Sequence, residues 1–136
     1  MPLQLDIVTP EKTIFSDMVE HVYLPGADGE MGVLPQHAGL VTALKPGELR
    51  YAIKGKEHFL AIGSGFAEVN HSRVVVLTDS ALGEAEIDEA AAEEAIKRAQ
   101  QKLSTADSNL DPDEAAFLQN IIEKSAAAIQ FKRKKH

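Results

Sequence analysis

Hydrophobic and polar residues alternate along the chain from residue 3 to about residue 80. In Leu3-Gln4-Leu5-Asp6-Ile7 the apolar side chains fall on one side of an extended strand and the polar ones on the other. The same pattern recurs in residues 18–24, 48–54, 57–63, 66–70 and 73–79. Short strands with turns at 54–56 and 70–72 predict a β-sandwich or flattened barrel. A parallel sheet with crossover helices is not expected, because no helix-length segment interrupts the strands.

The periodicity changes near residue 86, where apolar residues begin to recur at every fourth position. A helix with Asp88 as its N-cap is predicted there. A second helix is predicted to begin at Asp111 and Pro112, after a polar turn at residues 104–109. The apolar stripe of the first helix is Ile87, Ala91, Ala95, Ala99 and Leu103. We therefore expect a β domain, residues 1–85, followed by an antiparallel helical hairpin, residues 86–136.

The apolar seam of this hairpin is built mostly from alanine, which favours helix but buries little surface. Two interpretations follow from that composition. The hairpin is either an ordinary stabilising element or a weakly held one that separates and docks elsewhere.

Residues 26–47, GADGEMGVLPQHAGLVTALKPG, contain five glycines and two prolines and are too rich in chain breakers for a helix. Asp28-Gly29 is typical of a hairpin turn, and Val33-Leu34-Pro35 of an extended segment that ends at proline. The glycine spacing matches neither a dinucleotide fingerprint nor a P-loop. The stretch is therefore a catalytic loop, a ligand site or a shaped surface that another protein contacts.

Composition excludes several function classes. The net charge of −7 and the low aromatic content of 5% argue against binding to nucleic acid. Because cysteine is absent, we expect no disulfide, thiolate metal site or cysteine nucleophile. No signal-peptide pattern or membrane-length apolar segment is present, so we expect an intracellular protein without direct bilayer insertion. A peripheral place on a membrane complex stays open.

The histidines offer little evidence for catalysis. None of the five is part of a metal-binding spacing such as HxH or HExxH, so no metal site is predicted. His37 lies in the glycine-rich stretch, where a small hydrolase could use it with Asp28 or Glu30. A lone loop histidine without a nucleophile is more often structural. We expect no catalytic residue and no cofactor.

Charge is unevenly distributed along the predicted helices. Residues 86–123 contain ten acidic residues against three basic ones, whereas residues 124–136 contain five basic residues and no acid. The basic residues are Lys124, Lys132, Arg133, Lys134 and Lys135. They complement a helix C-terminus, dock on an acidic partner, or bind anionic lipid. The acidic balance of the whole chain makes the lipid interpretation the weakest.

Three segments closely resemble the epsilon subunits of F-type ATP synthases. They are GEMGVLPQHAGLVTALKPGELR (29–50), GSGFAEVNHSRVVVLTDSAL (63–82) and the helix start EIDEAAAEEA. The resemblance extends over essentially the whole chain, in order. It implies a ten-stranded β-sandwich that contacts the gamma subunit and the c-ring, followed by a two-helix hairpin. It also implies a rotor subunit without catalytic activity, on the cytoplasmic side of a bacterial inner membrane.

The resemblance also assigns candidate residues. By position, Glu30, Met31, Gly32 and His37 are expected near the c-ring and gamma contact. An extended hairpin would reach the alpha and beta subunits of the catalytic head and inhibit ATP hydrolysis there. Lys124 and the basic residues from Lys132 to Lys135 are its candidate contacts.

The chain departs from the family at its nucleotide site. ATP-binding members carry an arginine in the motif that corresponds to Ile87 and Asp88 here, but this chain has Ala91 at that position. Arg98 is kept, while arginines of the second helix have no match. Because guanidinium groups supply much of the affinity for phosphate, we expect weak or no ATP binding.

Two other functions compete with a rotor subunit. One is a free-standing adaptor whose sandwich offers a binding edge and whose hairpin captures helices. The other is the small hydrolase centred on His37.

Overall fold

A computed structural model describes residues 2–35, 39–105 and 111–134. Within these ranges ten strands are followed by one 3-10 turn, Glu84–Glu86, and two helices. The strands are β1 (Leu3–Val8), β2 (Thr13–Val19), β3 (His21–Gly26), β4 (Gly29–Val33), β5 (Leu40–Leu44), β6 (Gly47–Ile53), β7 (Lys56–Ile62), β8 (Gly65–Val69), β9 (Arg73–Thr78) and β10 (Ala81–Leu82). The helices are α1 (Glu89–Thr105) and α2 (Pro112–Arg133). The predicted β-sandwich with a C-terminal helical hairpin is confirmed.

The ten strands form one folded sheet whose two halves face each other. The strand order is β10-β7-β6-β3-β5-β8-β9-β1-β2, and β4 pairs with β3. A single residue pair, Gly26 with Leu44, joins β3 to β5 at the bend between the halves. All neighbours are antiparallel except β1 and β9, which run parallel. Inward residues of both halves, among them Leu5, Leu24, Leu49 and Val76, are fully buried between them.

The secondary-structure elements differ from the prediction in three places. Residues 18–24 do not form one strand, because the chain breaks at Glu20 between β2 and β3. The glycine-rich stretch contains β4 and β5, which the sequence analysis did not assign as strands. The residues of α1 extend to Thr105, so Ser104 and Thr105 belong to the helix and not to the turn. The rest of that predicted turn lies outside the described residues.

The predicted turn at Asp28-Gly29 and both predicted helix caps are present. Ala27 and Asp28 connect β3 to β4, and Gly29 has a φ of 133°, which favours glycine. The Asp88 carboxylate accepts a hydrogen bond from the Ala91 amide at 3.1 Å and caps α1. The Asp111 carboxylate caps α2 in the same way, by accepting from the Asp113 amide at 3.0 Å.

The hairpin lies against the half of the sheet that contains β6 and β7. The two helices are antiparallel, since the end of α2 contacts the beginning of α1 through Arg133 and Glu89. Phe131 is the main apolar anchor; it is 4% exposed and forms a small cluster with Ala61 and Ile87. Within the described residues, the outer surface of the other half of the sheet, made of β5, β8, β9, β1 and β2, has no helix contact of comparable extent.

Candidate interaction surfaces

Three of the residues expected near the c-ring and gamma contact, Glu30, Met31 and Gly32, lie on β4, and we call this region the rim. They differ in their surroundings. Glu30 is exposed, and its carboxylate lies 3.8 Å from Nη2 of Arg50. Met31 is half-buried and packs against the sandwich core. Gly32 leaves room for a neighbouring ring, because a Cβ at this position would lie 2.8 Å from Cε1 of Tyr23. His37 lies outside the described residues.

Arg50 organises this rim and was missed by the sequence analysis. Its guanidinium carbon lies 4.1 Å from the centroid of the Tyr23 ring, a cation–π geometry. Its Nε is buried and lies 3.6 Å from a Glu57 carboxylate oxygen, beyond hydrogen-bond distance. Arg50 lies between Leu49 and Tyr51 of β6, which face the core, so alternation points its side chain outward. That direction is the signal that could have placed it beside Glu30 and Glu57.

Four of the candidate cations are described, Lys124, Lys132, Arg133 and Lys134, and each of them contacts groups of the same chain. The Lys132 ammonium donates to the Ile87 carbonyl at 2.6 Å. The Arg133 guanidinium donates to Glu89 at 2.6 Å and to Glu93 at 3.1 Å.

The two remaining described cations reach the sandwich. Lys134 donates to a Glu48 carboxylate oxygen on β6 at 3.1 Å. Lys124 lies 3.7 Å from Asp79, whose carboxylate also lies against Gly63. A Cβ on Gly63 would come within 1.7 Å of Oδ1 of Asp79, so glycine is needed for this contact. Lys135 lies outside the described residues.

The rim and the end of α2 border the same cleft. Glu30, Lys45, Glu48 and Lys134 line a cavity of about 350 Å³ between the β3, β4 and β6 region and the last turns of α2. The structure therefore brings together two sets of candidate residues, one from each part of the chain.

The candidate nucleotide residues do not converge. Ile87 is buried against Phe131, and Asp88 serves as the cap of α1. Both line a mostly apolar cavity of about 330 Å³ that also contains Ala91 and Lys124. Arg98 is ten residues beyond Asp88, about 15 Å along the helix axis. It is exposed and pairs with Glu94 at 3.1 Å, and it is not among the residues that line the cavity.

An exposed apolar strip crosses the uncovered half of the sheet. Val41, Phe66 and Leu77 are 70%, 58% and 53% exposed. Phe66 pairs directly with Leu77 across β8 and β9, and with Ala43 across β5. This strip was not among the surfaces predicted from the sequence. The signal was the alternation in residues 65–69. Ala67 and Val69 face the core, so Phe66 and Glu68 face outward.

No described group of three or more histidine, aspartate or glutamate side chains could hold a metal ion. Neither described helix is long and apolar enough to cross a membrane. Asp28, one of the two acids considered with His37, lies exposed in the β3–β4 turn, and Glu30 pairs with Arg50. The described residues thus contain no evident acid–base arrangement around these two acids.

Comparisons with known proteins decide the family. The family model described as ATP synthase, Delta/Epsilon chain, beta-sandwich domain matches residues 2–84. The ATP synthase epsilon chain of Desulforamulus reducens is 48% identical over 126 residues, which cover 92% of this chain and 96% of the relative. This chain belongs to the ATP synthase epsilon chain family. The epsilon chain of Dehalococcoides mccartyi is also similar, with 45% identity over 136 residues that cover 98% of this chain and 96% of that one. The resemblance inferred from the sequence motifs is confirmed, and the protein is a subunit of ATP synthase.

Solved structures agree on the fold of this epsilon chain. A chain in the cryo-EM structure of the Euglena gracilis mitochondrial ATP synthase, OSCP/F1/c-ring, superposes with a TM-score of 0.75 at 26% identity. The match covers 93% of this chain and 78% of that one. A chain of the Tetrahymena thermophila mitochondrial ATP synthase central stalk and c-ring matches with a TM-score of 0.64 at 8% identity, which supports the fold alone.

Proposed function

We propose that this epsilon chain is a non-catalytic rotor subunit of the central stalk. It couples the c-ring to the gamma subunit and the catalytic head during proton-driven ATP synthesis, from the cytoplasmic side of a bacterial inner membrane. The observation that carries the proposal is the exposed apolar strip of Val41, Phe66 and Leu77 on the uncovered half of the sheet. Exposed apolar patches of this kind mark protein–protein contacts. We assign the strip to the gamma subunit.

The rim at β4 is the proposed contact with the c-ring. Glu30 offers an exposed carboxylate there, and Gly32 leaves the room that the ring of Tyr23 needs beside it. Met31 supports the rim from the core side, and His37 follows β4 in the chain. We propose that residues 1–85 form a coupling domain and that residues 86–136 form a regulatory hairpin.

The hairpin is the proposed inhibitor of ATP hydrolysis. In an extended state its basic end would contact acidic surfaces of the alpha and beta subunits in the head. The density of cations at the end of α2 and the small apolar anchor around Phe131 support this role. Deleting the chain from residue 86 onward should raise ATP hydrolysis by the assembled complex. Unchanged hydrolysis would contradict the inhibitory role and leave the coupling role intact.

The gamma contact is tested by co-purification. We expect Phe66→Ser to reduce the recovery of gamma with this epsilon chain at least about tenfold, because an aromatic residue in the centre of an interface contributes several kcal/mol. Phe117→Ser is the matched control, since Phe117 is 65% exposed but lies on α2. Both substitutions change an exposed phenylalanine, so neither should unfold the sandwich.

The same co-purification separates the rotor subunit from the adaptor, and an activity assay of His37→Ala tests the hydrolase. Retention of gamma by both variants would show that the strip is not the contact. Failure of the native chain to retain gamma would favour a free-standing adaptor. Turnover that His37→Ala abolishes would instead favour a hydrolase.

A further inference from the structure

The described cations at the end of α2 are already paired within the chain. Arg133 contacts Glu89 and Glu93 on α1, and Lys134 contacts Glu48 on β6. Lys132 donates to the Ile87 carbonyl in the segment that connects the sandwich to α1. The folded hairpin therefore occupies the same cations that an acidic partner surface would need.

The apolar part of this docking is small. The buried cluster contains Ala61, Ile87 and Phe131, with Phe59, Leu82 and Ala128 partly buried around it. Phe131 is the largest of its three buried side chains. Because so little surface is buried, the polar contacts at the end of α2 decide where the hairpin rests more than they would in a large interface.

We propose that Glu48, Glu89 and Glu93 form an ionic latch that holds the end of α2 in its folded position, against α1 through Arg133 and against the sandwich through Lys134. This inference rests on the proposed inhibitory function of the hairpin. Since one set of cations cannot contact both the latch and the catalytic head, the latch acids compete with the head. Neutralising latch acids should release the hairpin and strengthen inhibition, whereas neutralising the cations should weaken inhibition.

High salt should weaken the ion pairs of the latch and so release the end of α2, as neutralising the latch acids does. The side chains of Arg133 and Lys134 are each more than half exposed, so dissolved ions reach these pairs. At 1 M salt the Debye length is about 3 Å, similar to the distances within the pairs. The docked position of the native hairpin is therefore expected to be sensitive to ionic strength.

The test compares Glu89→Gln/Glu93→Gln with a matched control, Glu94→Gln/Glu114→Gln, in the full-length chain. Each pair of substitutions removes two negative charges. Glu94 is adjacent to Glu93 but pairs with Arg98, and Glu114 lies in the first turn of α2 as Glu89 does in α1. Amide hydrogen exchange of residues 124–134 at low salt reports how often the end of α2 opens.

We expect exchange in this segment to be about three to ten times faster in the latch variant than in the native chain, as loss of two exposed ion pairs would give. The control should match the native chain, and the native chain at 1 M salt should approach the latch variant. Equal exchange in latch variant and control would overturn the proposal, as would exchange in the native chain that does not respond to salt.

Hydrolysis of ATP by the assembled complex separates this inference from the function on which it rests. A lower rate of hydrolysis with the latch variant than with the control supports both the latch and the inhibitory role of the hairpin. Faster exchange with unchanged hydrolysis supports the latch and contradicts the inhibitory role of the hairpin. Unchanged exchange contradicts the latch whatever the hydrolysis rate.

Discussion

Asp6 lies on the outward side of β1, yet it is only 6% exposed because neighbouring polar side chains cover it. Its carboxylate accepts hydrogen bonds from Ser16 at 2.6 Å, from Gln4 at 3.0 Å and from Nε of Arg73 at 2.8 Å. The bonds from Ser16 and Gln4, followed by Arg73, hold the pKa of Asp6 below its ordinary value against the opposing effect of burial. Alternation in the sequence placed Asp6 outward but did not reveal its burial, which depends on β2 and β9.

Asp6→Asn should lower the free energy of unfolding by about 1–3 kcal/mol at neutral pH, because it removes the charged acceptor of Arg73. A folded-state pKa below the unfolded one means that the ionised group stabilises the fold above the ordinary value of about 3.9. That contribution disappears as the pH falls through the ordinary value towards the lowered one. The difference between variant and native chain in urea unfolding should therefore shrink on acidification.

Asp28→Asn is the control for this prediction, since it changes an exposed aspartate in the β3–β4 turn. It should leave the free energy of unfolding nearly unchanged at both pH values. A difference between Asp6→Asn and the native chain that stayed constant or grew towards low pH would contradict the assignment.

At the scale of secondary-structure elements, the sequence predicted the features whose signal lies in a few neighbouring residues. The helix caps at Asp88 and Asp111 and the turn at Asp28-Gly29 follow from residue chemistry, and the structure has them in place. The alternation of β5 was obscured, because Val41 is apolar but faces outward. Residues 18–24 gave the pattern of one strand, although the bend at Glu20 depends on pairing of β2 with β1 and β3 with β6.

The anchor of the hairpin could not be predicted in the same way. No apolar stripe predicted from the sequence includes Phe131, and its burial depends on Ala61 of β7, which lies seventy residues earlier in the chain. The same holds for the pairs of Lys134 with Glu48 and of Lys124 with Asp79. Sequence patterns identify the cations, whereas their partners follow only from the packing of α2 on the sheet.

Phe131→Ala should destabilise the docked hairpin by about 3 kcal/mol, because it removes the largest side chain of a small cluster. Both tyrosines, Tyr23 and Tyr51, belong to the sandwich, so their fluorescence reports its unfolding, while helical circular dichroism reports the hairpin. We expect the helical signal of the variant to be lost at a lower urea concentration than the tyrosine signal.

Phe117→Ala serves as the control, since Phe117 lies on the same helix but is 65% exposed. It should shift neither transition by more than about 0.5 kcal/mol. Equal effects of the two substitutions would show that Phe131 is not the anchor, and coincident transitions in Phe131→Ala would show that sandwich and hairpin unfold as one unit.

At the scale of the whole molecule, a ligand could act on both the sandwich and the hairpin from the cavity of about 330 Å³ that Ile87 and Asp88 line. Its lining is mostly apolar and includes Ala61, Leu82, Ala91 and Ala128. Lys124 is the only cation among the lining residues described, and it lies close to Asp79. A triphosphate would therefore meet one cation that already has an acidic neighbour, which is a poor basis for affinity.

Calorimetry on the isolated chain should accordingly detect weak or no ATP binding, and Ala91→Arg should restore some, because position 91 lines this cavity. Ala90→Arg is the matched control: it adds the same charge to the same turn of α1, and both positions are exposed, but position 90 is not part of the lining. Equal binding by the two variants would indicate a general effect of charge. Tight binding by the native chain would mean that other residues form a nucleotide site. In that case nucleotide, and not the ion pairs at the end of α2 alone, would control where the hairpin rests.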